Sequence, residues 1–195
     1  LQNGTKGTAA RIFLNGEETS GGRGWGHVAT GANAGKAYEL PRLGKFAYEN
    51  SLACPVAQDK TIVVSTDDQS LIAGAASGQV YVYVGTKLTT GTGATEVDDA
   101  GLNNGLTYGI KVGTVTAEDR TTPFVVKNAS TAFTMAVIGT GNVSAMTGAQ
   151  LETASDTAGV TRFLRPEDGQ WDPLNPADFY FVTTDRTDDS KNGGS

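Results

Sequence analysis

The chain has 195 residues, a length that fits one domain and is enough to bury a sizeable core. Its formal net charge is −6 and no basic stripe occurs along it, which argues against a nucleic-acid partner. Cys54 is the single cysteine and His27 the single histidine, so an internal disulfide, a Ser-His dyad and a histidine-rich zinc site are excluded within this chain.

Charged residues make up 18% of the chain and there are 26 glycines, with Thr, Val and Ala frequent, a balance that favours short strands and tight turns over helices. No apolar run approaches the length of a membrane span. The first residue is Leu1 and not Met, which sets the expectation of a processed or excised piece. The acidic balance is compatible with divalent-cation binding and with a secreted protein.

In chain order, residues 1–10 read as a loose or edge segment. Arg11 to Leu14 is an apolar run closed by Asn15-Gly16, a strong turn signal, with Glu17-Glu18 next. A Gly-rich stretch holding Trp25 and His27 follows. Tyr38 to Leu43 is extended and broken by Pro41, and Lys45 to Asn50, with Glu49 inside it, leads into another connection. Lys60 to Ser65 is a strand that runs directly onto Thr66-Asp67-Asp68. Gln79 to Val84 is the best-patterned strand, its two Tyr on one face and its three Val on the other, and is expected to be central and buried on both sides.

Residues 87–106 form a Gly/Thr/Asp-rich excursion, then Tyr108 to Val115, Thr122 to Val126 and Phe133 to Ile138 read as strands. A short helix is expected near Gly148 to Thr153. Thr161 to Leu164 is a strand that delivers Arg165-Pro166-Glu167-Asp168-Gly169, read as a constrained turn because Pro166, Gly169 and Pro173 interrupt it. Phe179 to Thr183 reads as a buried strand, and residues 186–195 as a flexible polar tail or truncated loop. Strands and turns at short intervals without helical periodicity indicate an all-β protein, a sandwich, barrel or propeller, with under about a fifth of its residues helical.

An apolar strand abutting an acidic pair recurs: Leu14 before Glu17-Glu18, Val64 before Asp67-Asp68, Leu164 before Glu167-Asp168. This would bring acids from separate strands to one end of a β assembly. Asp98-Asp99 and Asp188-Asp189 are read as solvated loop acids outside the site. His27 is assigned a surface or structural role and Cys54 that of a buried small hydrophobe.

Glu17-Glu18 after a Leu, Tyr48-Glu49 after Gly44-Lys45-Phe46, Thr66-Asp67-Asp68 and Arg165-Pro166-Glu167 resemble, in order and spacing, the PhoX-type alkaline phosphatases and their secreted relatives. The resemblance implies a six-bladed propeller of antiparallel four-stranded sheets, of which residues 1–195 would be a part, with open sheet edges that another chain could pair. It implies a cluster of calcium and iron ions and hydrolysis of phosphate monoesters by a secreted, periplasmic or cell-surface protein. Carried over by position, Glu49, Asp68 and Glu167 would be metal ligands, with Glu17 or Glu18 joining them, and Arg165 would hold the substrate phosphate. Hard cations and phosphate suit such carboxylates and such an arginine. Two positions depart from the family: the iron-ligating cysteine before the glutamate pair is Gly16 here, and the histidine before the second glutamate is Tyr48. The departures leave a second reading open, a non-catalytic calcium-binding propeller segment of a secreted or cell-surface structural protein, and a weaker third, a sugar-lactone hydrolase on a similar propeller.

Overall fold

The computed structural model describes residues 2–70, 75–118 and 133–184. The expected strand Thr122 to Val126, the pair Asp188-Asp189 and the expected tail 186–195 lie outside the described residues. The strands are β1 (Gln2–Asn3), β2 (Lys6–Gly7), β3 (Ile12–Gly16), β4 (Gly24–Val28), β5 (Ala37–Glu39), β6 (Tyr48–Ala53), β7 (Lys60–Asp67), β8 (Val80–Thr86), β9 (Leu106–Lys111), β10 (Thr134–Val137), β11 (Pro166–Trp171) and β12 (Phe179–Thr183). The α-helices are α1 (Glu96–Asp99) and α2 (Gly148–Ala158), and Pro41–Leu43 forms one turn of 3₁₀ helix.

Among the described residues every pair of named strands is antiparallel, and the protein is all-β with few helices. β6 to β10 make a five-stranded sheet in sequence order, so each strand pairs antiparallel with its predecessor. β3, β4 and β5 form a three-stranded sheet, and β11–β12 and β1–β2 are two-stranded. Among the described residues no sheet has the four strands of a propeller blade and no closed barrel forms.

β8 sits in the middle of the large sheet, and its alternation sorts the core. Tyr81 and Tyr83 join Val63, Leu40, Leu43, Phe46, Tyr48 and Leu151 on one side. On the other, Val80 and Val82 join Val64, Ile110, Val112, Phe163 and Trp171. The Tyr hydroxyls are satisfied inside: that of Tyr83 donates to the Gly101 carbonyl at 2.8 Å and that of Tyr81 to Gln79 Oε1 at 3.1 Å. Burial pushes both phenols well above their ordinary range, Tyr83 to about 12, so both remain neutral donors.

α2 covers the tyrosine side through Leu151 and is longer than the sequence suggests. Thr147 and Gln150 form a reciprocal capping box at its start, and Gly159, left-handed at φ 74°, closes its end.

Several local expectations are corrected. Asn15-Gly16 is not a turn: both residues pair within β3, against Trp25 and Gly24, and the chain reverses later, across residues 17–22. Thr161 to Leu164 forms isolated bridges to Gly78 and Ala117 instead of a named strand. Pro166 to Trp171 is a strand and not a turn. Proline is tolerated at a strand's first position, and a bulge absorbs the disruption. β12 is only half buried, with Tyr180 and Val182 facing solvent. Asp99 is buried, its carboxylate accepting the amides of Gly91 and Gly93 at 2.7 Å each, so it ties the 88–95 loop to α1 and is not a solvated acid.

Leu151 is 1% exposed between α2 and the sheet, whereas Leu174 is 94% exposed. Leu151→Ala is therefore expected to cost about 2–5 kcal/mol in denaturant unfolding, and Leu174→Ala about 0.5 kcal/mol or less.

Candidate functional site

Three segments deliver carboxylates to one place. Glu18 lies in the reversal after β3. The amide of Tyr48 donates to the Glu17 carbonyl at 3.3 Å, which docks that reversal against the start of β6. Glu49 is the extra residue of a bulge in β6: Tyr48 pairs with Asp67 and Asn50 with Thr66, so nothing stands opposite Glu49. Asp68 directly follows β7, and its amide donates to the Ala47 carbonyl at 2.8 Å. One carboxylate oxygen from each of Glu18, Glu49 and Asp68 lies within 4.8 Å of the others. Asp68 is buried, Glu49 half-buried and Glu18 exposed, so the group opens to solvent on one side.

Arg165 forks onto Asp68, Nε to Oδ1 at 2.6 Å and Nη2 to Oδ2 at 2.7 Å. Its Nη2 also lies 3.6 Å from Glu167 Oε1, and the Thr184 hydroxyl donates to the same Glu167 oxygen. Glu167 sits in a second bulge, since Pro166 pairs with Thr183 and Gly169 with Phe181, leaving Glu167 and Asp168 opposite the single Val182. Bulges re-aim side chains and are common beside functional sites. Here two of them place acids that a regular ladder would have alternated away. Asp168 accepts from Asn50 Nδ2 at 3.1 Å, which joins β11 to β6.

The acids meet at an electrostatic cost. Burial, and then Glu18, Glu167, Asp68 and Asp168, push the Glu49 carboxyl above its ordinary range. Arg165 supplies one positive charge against Glu18, Glu49, Asp68 and Glu167, so negative charge is left in excess, and a divalent cation would offset it. The donor set fits calcium: carboxylate oxygens are its preferred ligands, and each forked Asp68 oxygen keeps a second lone pair.

The same residues do not fit a thiolate-bound iron. A Cβ at Gly16 would lie 2.1 Å from Tyr48 Cγ, so the Tyr48 ring fills the space a cysteine there would need. That ring is fixed by stacking on Phe46 at 3.8 Å between centroids and by its hydroxyl donating to the Gly44 carbonyl at 2.9 Å. The Tyr48 hydroxyl is thus turned to the Gly44 carbonyl, and burial raises its phenol well above its ordinary range.

Of the residues singled out in the sequence, the structure brings Glu18, Glu49 and Asp68 together and places Arg165 and Glu167 beside them. Glu17 goes elsewhere: its carboxylate takes a fork from Arg23, Nη2 to Oε1 at 2.7 Å and Nε to Oε2 at 3.1 Å, and also accepts the Arg23 amide. Arg23 lies over the Trp25 ring at 4.9 Å, so Trp25 packs on that pair. Asp67 is also separate, turned to the Ala47 amide at 3.1 Å, and burial pushes its carboxyl up to about 7. His27 is half-buried and bonded to Asn15 Oδ1 at 2.8 Å, and Cys54 is buried. The sequence reading missed Asn50 and Thr184, polar residues whose only sequence signal is nearness to the acids.

Arg23, through its side chain and then its amide, lowers the Glu17 carboxyl from 4.5 to about 2. A lowered carboxylate favours the fold above its unfolded value and loses that contribution as pH falls toward 2. Side-chain NMR titration should place the Glu17 midpoint near 2, and Arg23→Ala should return it toward 4.5, whereas Arg165→Ala should leave it in place.

No protein-family model matches the chain, and no curated protein matches it. Among solved structures the chain is similar to Pseudomonas fluorescens PhoX in complex with vanadate, a transition state analogue, at 16% identity and a TM-score of 0.47. The match covers 78% of this chain and 25% of that one, so the chain spans about a quarter of its length.

Proposed function

We propose that this chain carries a cation- and phosphate-binding part of a metal-dependent phosphoric monoester hydrolase, built on part of a β-propeller. The observation that carries the reading is the convergence of Glu18, Glu49 and Asp68 from three separate segments, with an arginine fork at their edge. Glu18, Glu49 and Asp68 would hold calcium, with Glu167 next to them. When bound, calcium would supply Lewis-acid stabilisation of phosphoryl oxygens. Arg165, its side chain 38% exposed, would meet a phosphate oxygen from the solvent side while Asp68 fixes its orientation. Glu167 and the Thr184 hydroxyl would keep the guanidinium from swinging away. A secreted, periplasmic or cell-surface setting suits a calcium-dependent site, and another chain would pair the outer edge of β10, where Met135 and Val137 are half exposed.

The second reading, a calcium-binding segment without catalysis, is favoured by one observation: the space for a thiolate at position 16 is taken by Tyr48, leaving hard oxygen donors alone. One set of measurements separates the two. Calcium should raise the melting temperature by mass action, worth about 2.7 kcal/mol at a hundredfold excess over Kd, and a chelator should reverse it. Glu49→Gln and Asp68→Asn should abolish that shift. Hydrolysis of p-nitrophenyl phosphate that needs calcium and falls at least tenfold in Arg165→Ala supports the hydrolase. A calcium shift without hydrolysis leaves the second reading, and the absence of any calcium shift sinks both.

A further inference from the structure

Arg165 is the one non-glycine residue with positive φ among the described residues, at 54°. An arginine gains nothing intrinsically from that left-handed conformation, which persists only where the surroundings over-determine it. The bonds that do so converge on Glu118. Its Oε2 accepts the Leu164 amide at 2.7 Å, directly before Arg165, and its Oε1 accepts the Thr183 hydroxyl at 3.2 Å. Its own amide donates to the Arg162 carbonyl at 2.7 Å. The remaining backbone bonds close the turn: the Arg165 amide to Phe163 at 3.0 Å, and the Thr184 amide to the Arg165 carbonyl at 3.0 Å. One carboxylate thus ties the residue before Arg165 to the last residue of β12.

We propose that Glu118 is a positioning residue whose carboxylate latches the Leu164–Arg165 turn to β12 and so holds the Arg165 guanidinium on Asp68 at the edge of the acid cluster. Asp68 is the fork's partner, but Glu118 decides where the fork starts. Among the described residues the hydrogen bonds of Glu118 run to Leu164, Thr183 and Arg162, so it acts on Arg165 through the backbone. Its significance for phosphate binding rests on the function proposed above, whereas the latch itself does not.

The test is built to separate the two. NMR of the arginine Nε–H groups reports whether Arg165 remains forked, with no ligand present. Glu118→Ala should lower the exchange protection of the Arg165 Nε–H about tenfold, the scale of a lost hydrogen bond to a charged acceptor, and should leave the Arg23 Nε–H signal unchanged. Glu118→Gln keeps an acceptor for the Leu164 amide and should restore protection. Thr183→Val removes one of the two bonds and should give a smaller loss, which keeps the latch testable if Glu118→Ala does not fold. In calcium-containing buffer, affinity for inorganic phosphate should fall in the same order. Protection unchanged in both Glu118→Ala and Thr183→Val, or lost as fully in Glu118→Gln as in Glu118→Ala, overturns the latch. Wild-type protein that binds no phosphate, with protection lost in Glu118→Ala and restored in Glu118→Gln, overturns the phosphate role while upholding the latch.

Discussion

β8 is buried on both faces, and that constraint shapes the rest of the molecule. A strand with tyrosines on one side and valines on the other leaves neither side of its sheet to water, so each must be covered by something else. The three-stranded sheet, the 3₁₀ turn and α2 supply one cover. The β11–β12 hairpin supplies the other, its Trp171 donating to the Leu52 carbonyl at 3.1 Å as it lies across β6. Charged groups are then tolerated where strands stop or bulge. The acids collect there because desolvating them inside the sheet would cost more than crowding them at its end.

That division explains what the sequence made legible. β7 and β8 were plain because strands buried on both faces carry unbroken runs of β-branched and aromatic residues, in β8 with Tyr and Val alternating between the two faces. Acidic pairs were visible as pairs but misleading as units. Successive residues of an extended chain point opposite ways, so Asp67 turns inward to Ala47 while Asp68 meets Arg165, and in the reversal after β3 Glu17 turns to Arg23 while Glu18 joins the cluster. The bulges were invisible, since nothing in Tyr48-Glu49-Asn50 or Glu167-Asp168-Gly169 marks one residue as extra. Turn chemistry also misled: Asn15-Gly16 sits inside β3 because Gly16 is needed for contact with Tyr48, and a Pro and a Gly framed β11 as a turn although both are tolerated at a strand start and a bulge.

The local charge pattern is graded. Glu17, half-buried and paired with Arg23, is held far down its titration range, while Glu49, half-buried among like charges, is held above its ordinary value. Two glutamates on adjoining segments thus meet opposite fields within one small region. The Arg23 fork lowers Glu17, whereas burial and then the surrounding carboxylates raise Glu49. Among the described residues Arg23 pairs with Glu17 and Glu39 and Arg165 with Asp68 and Glu167, whereas Glu49 is surrounded by acids.

The contact between Gly16 and Tyr48 also bears on how such a sequence can change over time. A side chain at position 16 without a change at 48 collides with a stacked, hydrogen-bonded ring. A smaller residue at 48 without a change at 16 leaves a void beside Phe46 and strands the Gly44 carbonyl. Either order of substitution passes through a less stable intermediate, so the two positions are bound to one another as a pair. For as long as Tyr48 keeps its place, packing alone keeps a cysteine out of position 16 and leaves the nearby acids as the only donors there.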